Sequence, residues 1–131
     1  MGNTKIDYIN FRIKRAEESL SDAKYLIKGG SWNSAINRLY YSCFYAALAL
    51  LLHKNIEAKS HKGVRGQLGQ KFIKPGLISK EFGQIYSDLF DFRQKGDYGD
   101  FFDFEAEKVI PFVEKVENFL KVVKELIYLE K

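Results

Sequence analysis

The chain holds a single cysteine, Cys43, so no disulfide can form within its 131 residues. Spacing builds no metal site around it either, and no metal or cofactor is expected. Cys43 stands in the apolar run 39–52, where a small buried thiol is expected to be inert. A free thiol fits a reducing cytoplasm. The run is about 14 residues long, short of the ~20 needed to cross a bilayer. It also carries Tyr40, Tyr41 and Tyr45, so a core helix is expected rather than a membrane span. The opening residues, MGNTKIDYIN, lack the apolar stretch of a secretory signal, and Ile6 stands where N-myristoylation requires Ser or Thr. Nothing alternates with period two, so no sheet is expected. Walker loops, Gly-x-Gly-x-x-Gly turns, His-Glu-x-x-His and Cys-x-x-Cys pairs are all missing, which argues against metalloenzymes and loop-based nucleotide-binding enzymes. Repeats, linkers and low-complexity tracts are missing too, so residues 1–131 read as one domain.

What is present is helical periodicity and an excess of rings. Phe (11) and Tyr (8) lift the aromatic share to 15%, more than a small core needs, so some rings should serve an interface. Ile9, Ile13, Ala16, Leu20, Ala23 and Ile27 form one 4-3-4-3-4 stripe, predicting a helix over residues 6–28 that Gly29-Gly30 ends. Ser31 to Asn33 offers caps for a second helix over 33–54, apolar almost all round and so the central element. Ser60 can cap a short third helix over 61–74. Its Gly63, Gly66 and Gly69 each cost about 1 kcal/mol and hint at mobility or close backbone approach. A fourth helix is predicted over 80–94 behind Ser79, with Phe82, Ile85, Leu89 and Phe92 inward, followed by a loop over 96–103. A fifth, over 105–129, carries the stripe Val109, Val113, Val116, Leu120, Val123, Ile127, with Pro111 near its start where a missing amide costs little. The fold class is therefore all-α: an antiparallel up-down bundle of about five helices, four of them core.

Three groups do not read as packing alone. Asn37, Arg38, Tyr40, Tyr41 and Tyr45 lie on the most apolar helix. Arg38 and Tyr41, three apart, share a face that could line a polar groove, unless Arg38 simply reaches solvent or a carboxylate. Ser60-His61-Lys62-Gly63 places an imidazole and a cation after a cap, where a plain surface role is the alternative. His53 is assigned to a helix end, where the dipole favours a cation. Phe92-Arg93-Gln-Lys-Gly-Asp97-Tyr98 brings a guanidinium fork, a carboxylate and a phenol within six residues, a set able to hold phosphate. The alternative is that Arg93 and Lys95 complement a helix dipole and Asp97 shapes a turn. A net charge of +4, from 21 Lys+Arg against 17 Asp+Glu, permits polyanion binding without requiring it.

The segments Ser34-Ala-Ile-Asn37-Arg38-Leu-Tyr40-Tyr41-Ser-Cys-Phe-Tyr45-Ala-Ala, His61-Lys-Gly and Phe92-Arg93-Gln-Lys-Gly-Asp97-Tyr98 resemble, in this order, the HEPN (higher eukaryotes and prokaryotes nucleotide-binding) superfamily, and within it the small standalone prokaryotic branch. The resemblance spans the first helix to the start of the fifth. It implies an up-down helical bundle and a homodimer whose cleft gathers the polar residues. Many members are metal-free RNases that use an Arg followed four to six residues later by a His, and many are paired with a minimal nucleotidyltransferase antitoxin that modifies a nearby tyrosine. Here Arg93 has no following His; Asp97 and Tyr98 occupy the interval. An imidazole suits proton transfer at neutral pH, whereas a phenol near pKa 10 does not.

The leading expectation is a module that binds nucleotide or RNA through Arg38, Tyr41, His61, Lys62, Arg93, Asp97 and Tyr98 beside a nucleotidyltransferase, with Tyr98 the modifiable residue. Alternatives are an RNase toxin in which Arg93 works with His61 as the catalytic pair, and a dimerising partner without a ligand.

Overall fold

The structure is a computed structural model that describes residues 4–98 and 103–129, the side chain of Tyr98 excepted. All the regular elements among these residues are helical. The first, α1, spans Thr4–Lys28, and α2 spans Trp32–His53. Between them Gly30 takes φ 72° while the Ser31 amide reaches back to the Leu26 carbonyl (2.9 Å), so the chain reverses in three residues. Ser31 flanks α2 without a side-chain capping bond, and the Asn33 Oδ1 expected to help cap α2 accepts instead from the Phe104 amide at 2.8 Å.

The helices alternate in direction. Lys5 donates to the His53 carbonyl, Arg12 to that of Leu48 and Ser42 to that of Ala16, so α1 and α2 run antiparallel, with Ala16 and Ser42 allowing close approach. Helix α4 (Lys80–Tyr98) pairs Asp97 with Asn37 and Arg93 with Tyr40, antiparallel to α2. Helix α6 (Pro111–Tyr128) sets Phe112 on Phe92 and Phe119 on Tyr86, antiparallel to α4. It closes on α1 through Lys24–Glu117 and Lys124–Glu17. The result is the up-down bundle expected, with α2 touching every other α-helix. The buried side chains form one cluster, with Leu39, Tyr40, Cys43, Leu50, Tyr86, Leu89, Val116 and Phe119 at or within 1% exposure.

Three boundaries differ from expectation. The third helix divides into α3 (His61–Leu68) and a π turn (Gly69–Ile73), in which the Lys74 amide bonds to the Gly69 carbonyl at 2.8 Å. Ser60 does cap α3, its Oγ accepting from the Gly63 amide at 2.9 Å. Close backbone approach does not explain the other two glycines of the expected third helix, since a Cβ at Gly66 or Gly69 would meet nothing within 4 Å. Helix α4 runs on to Tyr98 instead of ending at residue 94, because Asp97 lies four residues beyond Arg93 and also accepts from Asn37, which draws the last turn into the helix. Of the loop expected over 96–103, residues 99–102 lie outside the described set. The fifth helix breaks at Ile110 into α5 (Ala106–Val109) and α6, which Pro111 opens as a first-turn residue whose missing amide costs nothing there.

The run 39–52 is part of a 22-residue helix. By length and composition α2 is therefore sufficient to cross a membrane, which corrects the expectation of a segment too short, although most of it is buried against its neighbours. Cys43 is fully buried and burial pushes its thiol well up, as expected of an inert core thiol.

Candidate functional site

The inner face of α4 is the key to the site. Its buried residues include Ile85, Tyr86, Leu89, Phe90 and Arg93, whereas Phe82 and Phe92, expected inward, are only half-buried. Arg93 thus occupies the next position on the Tyr86–Phe90 stripe and is 7% exposed. Its guanidinium carbon lies 4.9 Å from the ring centroid of Tyr40 and 5.9 Å from that of Tyr41. Cation–π attraction of this kind compensates part of the cost of desolvating the charge. Asp97, one turn on, brings Oδ2 to 3.7 Å from an Arg93 terminal nitrogen, and Nε of Arg93 has no hydrogen-bond partner among the described residues.

Helix α2 supplies the opposing wall. Asn37 Nδ2 donates to both oxygens of Asp97 at 3.2 and 3.4 Å, while its Oδ1 accepts from Nε and a terminal nitrogen of Arg38 at 3.0 and 2.8 Å. This chain links Arg38 to Asp97 through one amide. The Arg38 guanidinium also sits 5.1 Å from the Tyr41 ring centroid. Arg38 is half-buried, with its guanidinium held by Asn37.

His61 arrives from α3. Its Nδ1 lies 2.7 Å from the Tyr40 hydroxyl, and its ring leans on Phe44 (4.5 Å between centroids) and meets Tyr41 edge-on at 5.8 Å. Burial, followed by the positive charge of Arg93, holds the imidazole below its ordinary value and favours the neutral ring. Burial pushes the Tyr40 phenol up to about 12, with Tyr86 and then Arg93 opposing. Tyr40 therefore stays protonated and able to donate to His61. The Tyr86 hydroxyl approaches Tyr40 from behind and is itself buried, which pushes its own phenol up.

Of the expected set, Arg38, Tyr41, His61, Arg93 and Asp97 converge between α2, α3 and α4. Lys62 is exposed beside His61 on α3, with no contact to the cluster among the described residues. The Tyr98 side chain lies outside the described residues. Tyr40, which joins His61 to Arg93, was not among the expected site residues; its signal was its position between Asn37 and Tyr41 on the one helix that faces both α3 and α4. The expectation that Asp97 shapes a turn is overturned, since it is helical. No group of three or more possible metal ligands occurs among the described residues.

An antiparallel helical bundle with a guanidinium, an imidazole and a carboxylate gathered around two tyrosines defines the class: a small all-helical domain with a polar inter-helix cluster. The HEPN domain family matches residues 9–126, and the chain belongs to that family. It is 41% identical over 125 residues to a UPF0332 protein of Thermotoga maritima, covering 95% of each chain. It is 37% identical over 117 residues to a protein of Methanocaldococcus jannaschii named as a proposed toxin, MJ0605, covering 85% of this chain and 87% of that one. A second protein of that organism, also named as a proposed toxin, MJ0142, is 32% identical over 112 residues, covering 86% and 76%.

Proposed function

We propose that the chain binds nucleotide or RNA through the phosphate at the cluster of Arg38, Tyr41, His61, Arg93 and Asp97. In this reading it is the HEPN half of a toxin–antitoxin-like pair in the cytoplasm, beside a minimal nucleotidyltransferase. The observation that carries the reading is Arg93: a buried arginine whose Nε has no partner among the described residues and whose contact with Asp97, at 3.7 Å, is longer than a full charge-assisted hydrogen bond of about 2.7–2.9 Å. Its fork therefore keeps donors for a bidentate oxyanion. Lys62 adds charge nearby. The two relatives named as proposed toxins support the setting. The half-exposed α2 residues Arg38, Tyr41, Tyr45, Leu48 and Leu52, spaced 3-4-3-4, support a second copy on this face, which would set two clusters against each other. Tyr98 is the residue that the transferase would modify.

A second reading, a metal-free RNase, draws on one specific observation. His61 and Arg93 both bear on Tyr40, and the site favours the neutral imidazole, the form able to take a proton from a 2′-hydroxyl. Incubating the protein with total tRNA at low salt without metal, beside Arg93→Ala and His61→Ala, separates the readings. Retardation in a gel without cleavage, released by Arg93→Ala, is the expected result. Cleavage abolished by both substitutions would establish the RNase. Neither effect would leave a dimerising partner protein without a ligand.

A further inference from the structure

A second polar cleft opens between the π turn and α4, apart from the cluster above. Leu68 and Ile73 give it an apolar floor and Tyr86 its inner wall; Arg65, Lys80 and Ser87 supply polar groups. Its volume is about 270 Å³, and no carboxylate among the described residues lines it. Its cations are poorly neutralised. The Arg65 guanidinium is held over the Phe90 ring at 4.1 Å, and the nearest carboxylate, Asp91, stands off at 4.0 Å, the outer limit of an ion pair. The Tyr86 ring walls the cleft, while its hydroxyl turns inward toward Tyr40 in the core. The backbone suits a bound molecule as well. π turns recur at functional sites, and Gly69, which lines the cleft, would place a Cβ in open space. At the closed end a Cβ on Gly83 would come within 3.3 Å of Ile73, so α4 and the π turn are already in contact there.

The geometry points to a binding site for the phosphate monoester of a small polar molecule. Arg65 and Lys80 grip the phosphate, and Ser87 serves its remaining oxygens or the hydroxyls of the group that carries it. An excess of donors and cations, with no carboxylate, selects an anion rather than a metal or an amine. The volume falls just below the roughly 300–1,000 Å³ of drug-sized pockets, which suits a sugar phosphate and excludes a dinucleotide. The same phosphate chemistry could come from the 5′ end of an RNA. This site is independent of the proposed function, because it shares no residue with the cluster of Arg93.

The test is an amide-resolved NMR titration of the full chain with ribose 5-phosphate, with ribose, and with a short oligoribonucleotide carrying either a 5′-phosphate or a 5′-hydroxyl. Saturable shifts confined to residues 65–73 and 80–87 are expected with ribose 5-phosphate and not with ribose. Arg65→Gln and Lys80→Ala should each weaken binding about tenfold, the order expected for one charged hydrogen bond. Lys80 is exposed at the start of α4, so its variant stays informative even if Arg65→Gln disturbs the packing on Phe90. Shifts in the same residues with the 5′-phosphorylated oligonucleotide alone, lost in both variants, would keep the site and assign its phosphate to RNA ends. Saturable shifts from none of these probes, shifts that survive both substitutions, or shifts centred on Arg38 and Asp97 would overturn the proposal.

Discussion

Arg93 follows the inner stripe of α4 in a position where the preceding members are Tyr86 and Phe90, and a charge is retained there only because rings and a carboxylate surround it. The imidazole of His61 shares that environment, and its titration is a direct readout of it. The ring is held below its ordinary value of 6.5 in the folded chain, chiefly by burial and then by Arg93. As pH falls, the unfolded chain therefore takes up this proton first. Between the two values the unfolded state binds more protons, so folded stability drops as pH passes down through about 6.5 toward the lowered value. Urea midpoints of wild type and His61→Gln, followed from pH 7.5 to 5.5, should show the steeper decline in wild type. Parallel curves would mean that the imidazole is not held out of water beside Arg93 in solution.

At the scale of elements, α3 has the weakest intrinsic preference, with Gly63 and Gly66 inside eight residues. The two positions are not equivalent. A Cβ at Gly63 would sit 3.0 Å from the capping Oγ of Ser60, whereas one at Gly66 would meet nothing within 4 Å. Gly66→Ala should therefore stabilise the fold by roughly 0.4–1 kcal/mol, through helix preference and a less flexible unfolded chain. Equilibrium urea unfolding measures this directly, and a loss of stability would show that α3 is not a regular helix in solution. The helices themselves were largely legible: the stripes of α1 and α6, the turn at Gly29-Gly30 and the Ser60 cap all follow from local spacing. What was not legible depended on partners distant in the chain. Asp97 extends α4 because it meets both Arg93 and Asn37, and Asn33 leaves its capping role because the Phe104 amide, 71 residues away, needs an acceptor.

For the molecule as a whole, the composition of the site was visible before its assembly. Arg38, Tyr41, Arg93 and Asp97 stood out as polar groups on apolar helices, but only the packing of three helices brings His61 to them, with fully buried Tyr40 as the hinge. The same distinction between a local cluster and the whole surface governs how binding should respond to salt. The net charge of +4 is spread over 21 cations and 17 anions, and several exposed lysines are already engaged, Lys24 with Glu117 and Lys124 with Glu17. Such a surface has little long-range attraction of its own. If RNA is held by the cluster, about three cations, Arg38, Lys62 and Arg93, contact phosphate. The logarithm of affinity for single-stranded RNA should then fall with the logarithm of salt at a slope of about 2, from roughly 0.7 per contact. Filter binding between 50 and 300 mM salt, roughly the range over which such slopes are read, would give it. A slope near 2 that drops by about 0.7 in Arg38→Ala supports a small phosphate grip. A slope above about 5, unchanged by that substitution, would instead mean that RNA tracks a broad basic surface and that the cluster of Arg93 serves another purpose.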